Sequence, residues 1–203
     1  MKFFSTLIAL AFVALASANL QNDFEDLAKL VPGKEIAAVA EDYLKHDREF
    51  LKLVLYFKSK DFKNLWVDVF AEEYVHELVD YCEDHGVAAV ESINYLADLL
   101  GLPHYPSLIK MNLRMIETRR TGGIAGFFKD VDALVPYTEL KKAMDAKYVE
   151  SADFKGFMDL VDVDRFDAFM KTNKNAQKFV KFLKDNKVDV NTYWNHLKDL
   201  FKH

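Results

Sequence analysis

The chain has 203 residues, 51% of them hydrophobic and 29% charged, with a formal net charge of −5. An acidic balance of mixed signs offers no phosphate-seeking basic face, which argues against nucleic acid as a partner. A single cysteine, Cys82, excludes an intrachain disulfide framework, so apolar burial has to hold the fold together.

Residues 1–18 read as a secretory signal peptide. Lys2 gives the positive start, Phe3 to Ala16 is an apolar run broken only by Ser5 and Thr6, and Ala16-Ser17-Ala18 is a small-x-small cleavage site. The run is too short to anchor in a bilayer. About 185 residues then remain from Asn19, enough for one compact domain or two small ones. Without an Asn-x-Ser/Thr sequence, N-glycosylation is not expected.

Period-3.6 apolar patterns follow almost everywhere, with no run of period 2. Pro32 marks the boundary before the stripe Ile36, Val39, Ala40, Tyr43 and Leu44, because proline cannot continue a preceding helix. Asp47 caps the next helix. Its run Phe50-Leu51 and Leu53 to Phe57 is apolar nearly all round, which predicts the most buried helix of this half. Ser59 and Asp61 introduce Phe62, Leu65, Trp66, Val69 and Phe70. Tyr74, Val75, Leu78, Val79 and Cys82 end near Gly86, a C-terminal cap. Val90, Ile93, Leu96, Leu99 and Leu100 end at Gly101 and Pro103. Residues 103–121 read as a strap with an amphipathic middle, Leu108 to Ile116, and Arg119-Arg120 beyond it.

The same plan then recurs. Phe24 to Pro32 reads beside Phe128 to Pro136 at an offset of 104, continued by Glu35/Glu139, Phe50/Phe154 and Phe62/Phe166. Asp84/Asp185, Val87/Val188, Asn94/Asn195 and Leu96/Leu197 match at 101, so one small deletion separates the copies. The expected division is 19–102, a first helical repeat, and 122–203, a second, together forming one globular unit. Each copy offers five or six short helices, which draw stability from packing rather than propensity. Two copies facing each other across a pseudo-twofold can cover all their apolar faces. The shared residues carry no catalytic types, which favours a container or scaffold over an enzyme.

The isolated chemical motifs are weak. His76-Glu77-Leu78-Val79-Asp80 looks like a zinc-protease helix that has lost its second histidine. Cys82-Glu83-Asp84-His85 is half a metal site. Gly122-Gly123-x-x-Gly126 lacks the strand and spacing of a dinucleotide fingerprint and serves better as a hinge. No cofactor or metal is expected.

A set of residues carries a family resemblance: Leu30-Val31-Pro32 with Glu35-Ile36, Tyr43-Leu44 before Asp47-x-Glu49-Phe50, Ile93-Asn94, Leu99 to Pro103, Gly122-Gly123-Ile124-x-Gly126-Phe127, and Leu134-Val135-Pro136-x-x-Glu139-Leu140. The chain resembles the insect allergen-related repeat family, which includes a cockroach gut allergen, nitrile-specifier proteins and blood-meal-induced mosquito gut proteins. The resemblance implies an all-α shell of about a dozen helices around a large apolar cavity holding fatty acids or phospholipids, and secretion into the midgut lumen or onto microvilli. Lys147-Tyr148 in place of the Tyr43-Leu44 type, and the polar Lys171 to Asn175, depart from the family pattern and suggest a mouth on that side.

The expected lining is Phe50, Val54, Phe57, Leu65, Val69, Leu78 and Leu96, with Phe154, Met158, Phe169, Phe179 and Leu197 from the second copy. The expected function is a monomeric, non-enzymatic lipid binder that exchanges lipid with membranes and disturbs them at high dose. The alternatives are a nitrile-specifier-like detoxification factor and a lipid-free structural protein of the gut lining.

Overall fold

The computed structural model describes residues 19–105 and 122–202. Among them lie twelve helices and no strand: α1 (Asn19–Leu30), α2 (Gly33–His46), α3 (Phe50–Phe57), α4 (Lys60–Val69), α5 (Glu73–Asp84), α6 (Ala89–Leu100), α7 (Gly123–Leu134), α8 (Tyr137–Glu150), α9 (Ala152–Leu160), α10 (Val163–Thr172), α11 (Lys174–Asp185) and α12 (Val190–Leu200). The signal-peptide reading, residues 106–121 of the strap and Arg119-Arg120 lie outside the described residues.

Local chemistry sets the boundaries. Pro32 and Pro136 immediately precede α2 and α8. Side-chain oxygens of Ser59, Ser151, Asp162, Asn173 and Asp189 accept the first-turn amides of α4, α9, α10, α11 and α12, which satisfies donors that a helix cannot satisfy itself. At the other end, Gly101 adopts a left-handed φ of 66°. The Leu102 amide then returns to the Ala97 carbonyl, closing α6 as a Schellman turn does.

Helix bounds recur along the chain. The first residues of α1 and α7, and of α2 and α8, are 104 positions apart; those of α5 and α11, and of α6 and α12, are 101 apart. Two of the three residues lost fall at one joint. Residues 70–72 connect α4 to α5, whereas Asn173 alone connects α10 to α11.

The copies interleave rather than merely face each other. α1 packs on α8 and α9 of the other copy, and α7 packs on α2 and α3. Within each copy α2 meets α3 (α8 meets α9), and α5 meets α6 (α11 meets α12). α4 packs extensively on α11. The related pair, α10 and α5, is looser and is bridged by the Arg165 guanidinium 5.0 Å above the Tyr74 ring.

Three expectations are corrected. α3 is not the most buried helix: Leu55 is 54% exposed, on a flank that no helix among the described residues covers. The Gly122-Gly123 pair is no hinge. Gly123 is buried and its amide donates to Asp47 Oδ2 at 2.6 Å. The segment 171–175 is no mouth, because Asn173 and Asn175 both donate to Asp68 Oδ2, at 2.8 and 2.9 Å, and stitch it to α4.

Candidate functional site

Apolar faces of all twelve helices meet in one contiguous core rich in rings. Phe50 packs with Phe127 and Tyr43, with ring centroids 4.5 and 5.7 Å away. Phe57, Phe62 and Phe179 form a second group, in which Phe57 and Phe179 are 6.4 Å apart. Phe154 meets Phe24 and Phe157, and Phe169 stacks on Phe166. Leu65, Val69, Leu96 and Met158 are buried. Val54 and Leu197 pack on the core from its edge, and Leu78 is half-buried. The five aromatic residues of the expected lining thus fall into four ring groups, with Phe57 and Phe179 sharing one. Phe62, Phe127, Ile124 and Leu183, all fully buried, were equally available from the periodicity.

Polar groups inside the core are few. Tyr74 is 5% exposed, and its hydroxyl, like that of Tyr56, has no hydrogen-bond partner. Burial pushes the Tyr56 phenol up to about 12 and raises that of Tyr74 further, since an ionised phenolate would be poorly solvated there. Tyr74 lies at the loose α5–α10 seam, beneath Arg165. A buried hydroxyl without a partner is the exception in folded proteins and calls for an explanation.

Cys82 is 1% exposed, and burial raises its thiol to about 12. The thiolate is the reactive form, so the native protein is expected to resist a disulfide reagent at pH 8 and to react fully once unfolded in denaturant. Stoichiometric labelling of the native protein within seconds would contradict this burial.

The copies differ most at two related corners. At the first, the N-terminus of α7 enters the α2–α3 junction. Phe127 and Tyr43 pack edge to face at 5.5 Å, and the Tyr43 hydroxyl donates to Asp130. The Tyr43 ring covers glycines: a Cβ on Gly122 would lie 2.5 Å from its hydroxyl, and one on Gly126 2.9 Å. At the second, the N-terminus of α1 enters the α8–α9 junction. Asp23 stands where the first corner has Phe127, Lys147 where it has Tyr43, and Asn22 where it has Gly126. Lys147 Nζ donates to Asp23 Oδ1 at 2.8 Å and to Asp26 Oδ2 at 3.0 Å. A ring-sealed corner thus becomes a charged cleft of about 380 Å³.

The remaining motifs are absorbed by structure. The His76 ring pairs with the Tyr105 hydroxyl. The Asn94 side chain holds the Tyr105 backbone at both its amide and its carbonyl. His85 Nδ1 lies 2.7 Å from the Tyr81 carbonyl. No trio of His, Cys, Asp or Glu among the described residues is placed to hold a metal ion.

These features define an all-helical, internally duplicated protein whose copies interleave around an aromatic core. Residues 19–194 match the insect allergen related repeat family, described as nitrile-specifier detoxification, and the chain belongs to that family. Protein G12 of Anopheles gambiae is 30% identical over 201 residues, covering 96% of this chain and 94% of that protein.

Proposed function

We propose that this insect protein is a secreted lipid container of the gut. It takes fatty acids or phospholipids into its apolar interior and exchanges them with membranes. The observation that carries the reading is Tyr74: a buried hydroxyl with no partner, at the looser of two related seams, with a guanidinium overhead. An acyl chain entering there gains about 0.8 kcal/mol for each buried CH₂. Its carboxylate accepts from the Tyr74 hydroxyl and faces Arg165. Without further directed contacts, selectivity rests on chain length and volume.

Organic extraction of natively purified protein, followed by mass spectrometry, is expected to yield stoichiometric fatty acid or phospholipid. Tyr74→Phe removes only an unpaired hydroxyl, so its stability is expected to lie within about 1 kcal/mol of wild type. Its fatty-acid affinity is expected to fall severalfold. A clean extract, with no rise in melting temperature on adding oleate, would refute the lipid reading. The nitrile-specifier role named in the family description would use the same interior. It predicts a shifted product ratio when the protein is added to glucosinolate and myrosinase.

A further inference from the structure

The charged cleft is built. Asp23 and Lys147 form its floor: Asp23 is 9% exposed, the Lys147 side chain 16%. Ser151, Ala152 and Asp153 form one wall, and the exposed Asn22 and Glu150 form the rim. Only one Asp23 oxygen is satisfied. Oδ1 accepts from Lys147, while Oδ2 is buried without a partner. An unpaired oxygen on a buried carboxylate is costly, and the second copy avoids the problem by placing Phe127 at this position.

The surrounding charge selects the missing group. Lys147 is shared between Asp23 and Asp26, and Glu150 and Asp153 add two more carboxylates around the cleft. An anion would meet excess negative charge. A water molecule could satisfy Oδ2 but would leave that charge uncompensated. A metal ion lacks a suitable trio of ligands among the described residues. What fits is a cation carrying N–H donors, small enough for about 380 Å³, at the low end for small-molecule sites. We propose that this cleft binds a primary ammonium group, donating N–H to the Asp23 carboxylate, which turns its unpaired oxygen toward the ligand, while the rim carboxylates balance its charge. The site is independent of what fills the apolar interior.

The test is titration of delipidated full-length protein with ethanolamine, followed by NMR or calorimetry. A ligand of so few atoms is expected to bind with a Kd of roughly millimolar order. Tetramethylammonium has the same charge without N–H and is expected to bind at least tenfold more weakly. D23N keeps the shape of the site and is expected to weaken ethanolamine binding at least tenfold. E150Q, at the exposed rim, is expected to weaken it severalfold without affecting folding.

Vesicles separate the sources of the amine. Retention on phosphatidylethanolamine but not phosphatidylcholine vesicles, lost in D23N, assigns the site to a lipid headgroup. Binding of free ethanolamine alone assigns it to a soluble amine. The proposal is overturned if neither binds, if tetramethylammonium binds equally, or if folded D23N and E150Q bind like wild type.

Discussion

Asp47→Ala is expected to destabilise the protein by about 4 kcal/mol and to lower its melting temperature by about 10 °C. The carboxylate is 1% exposed and serves three amides at once. Oδ1 accepts from Glu49 at 2.8 Å and from Phe50 at 3.0 Å, and Oδ2 accepts from Gly123. The first two start α3; the third fixes the start of α7, which belongs to the other copy. Alanine leaves all three donors without an acceptor, two of them on buried residues. Ser151→Ala is the internal control. Ser151 occupies the related position in the second copy but caps only the Phe154 amide, at 3.2 Å, so its loss is expected to cost about 1 kcal/mol. Equal small losses in both variants would show that Asp47 is an ordinary cap rather than a joint between copies.

Alkaline pH is expected to unfold the protein cooperatively between about pH 11 and 12. Tyr43, Tyr56, Tyr74 and Tyr193 all have phenols raised chiefly by burial, Tyr56 and Tyr193 to about 12 and the other two further. Tyr43 is raised also by its bond to Asp130. The sign follows from linkage. Below pH 10 the phenols are neutral in both folded and unfolded chains, and their full contribution is present. Above pH 10 the unfolded chain releases these protons while the folded one retains them, so stability falls by roughly 1.4 kcal/mol per pH unit for each phenol held neutral. Four such groups exhaust a stability of about 10 kcal/mol within about two pH units. Tyrosinate absorbance at 295 nm should therefore rise at the same midpoint at which helical circular dichroism is lost. Gradual ionisation of these four near pH 10, with the helices intact, would contradict their burial.

Local features of the fold were legible because each depends on neighbours within a few positions. Pro32, Ser59, Ser151 and Gly101 could be read as helix punctuation, and the apolar stripes as core faces. The exposure of Leu55 depends on where helices distant in sequence lie, which periodicity does not report. Gly122-Gly123 looked like a hinge because its acceptor, Asp47, lies 76 positions earlier. Lys147 was visible as a departure from the repeat, but its partners were not. Finding Asp23 and Asp26 requires knowing that α1 docks on the opposite copy, and nothing within either copy encodes that exchange. The same exchange is what turns a substitution of Phe127 by Asp23 into a site rather than a surface change.

The crossing of α1 and α7 between the halves constrains how the chain can be made. α1 leaves the ribosome first, yet the helices that receive it end only at Leu160. At about 5–20 residues per second, the first helix waits many seconds with its apolar face uncovered, so a stable nucleus forms late and spans most of the chain. The same geometry bears on ancestry. A single six-helix unit has no second unit on which to place its own first helix, and the simplest way to complete it is a dimer of two identical units trading first helices. Gene duplication would then have fused that dimer into one polypeptide. Once fused, the two corners no longer had to be identical, and here one is closed by rings while the other carries charges.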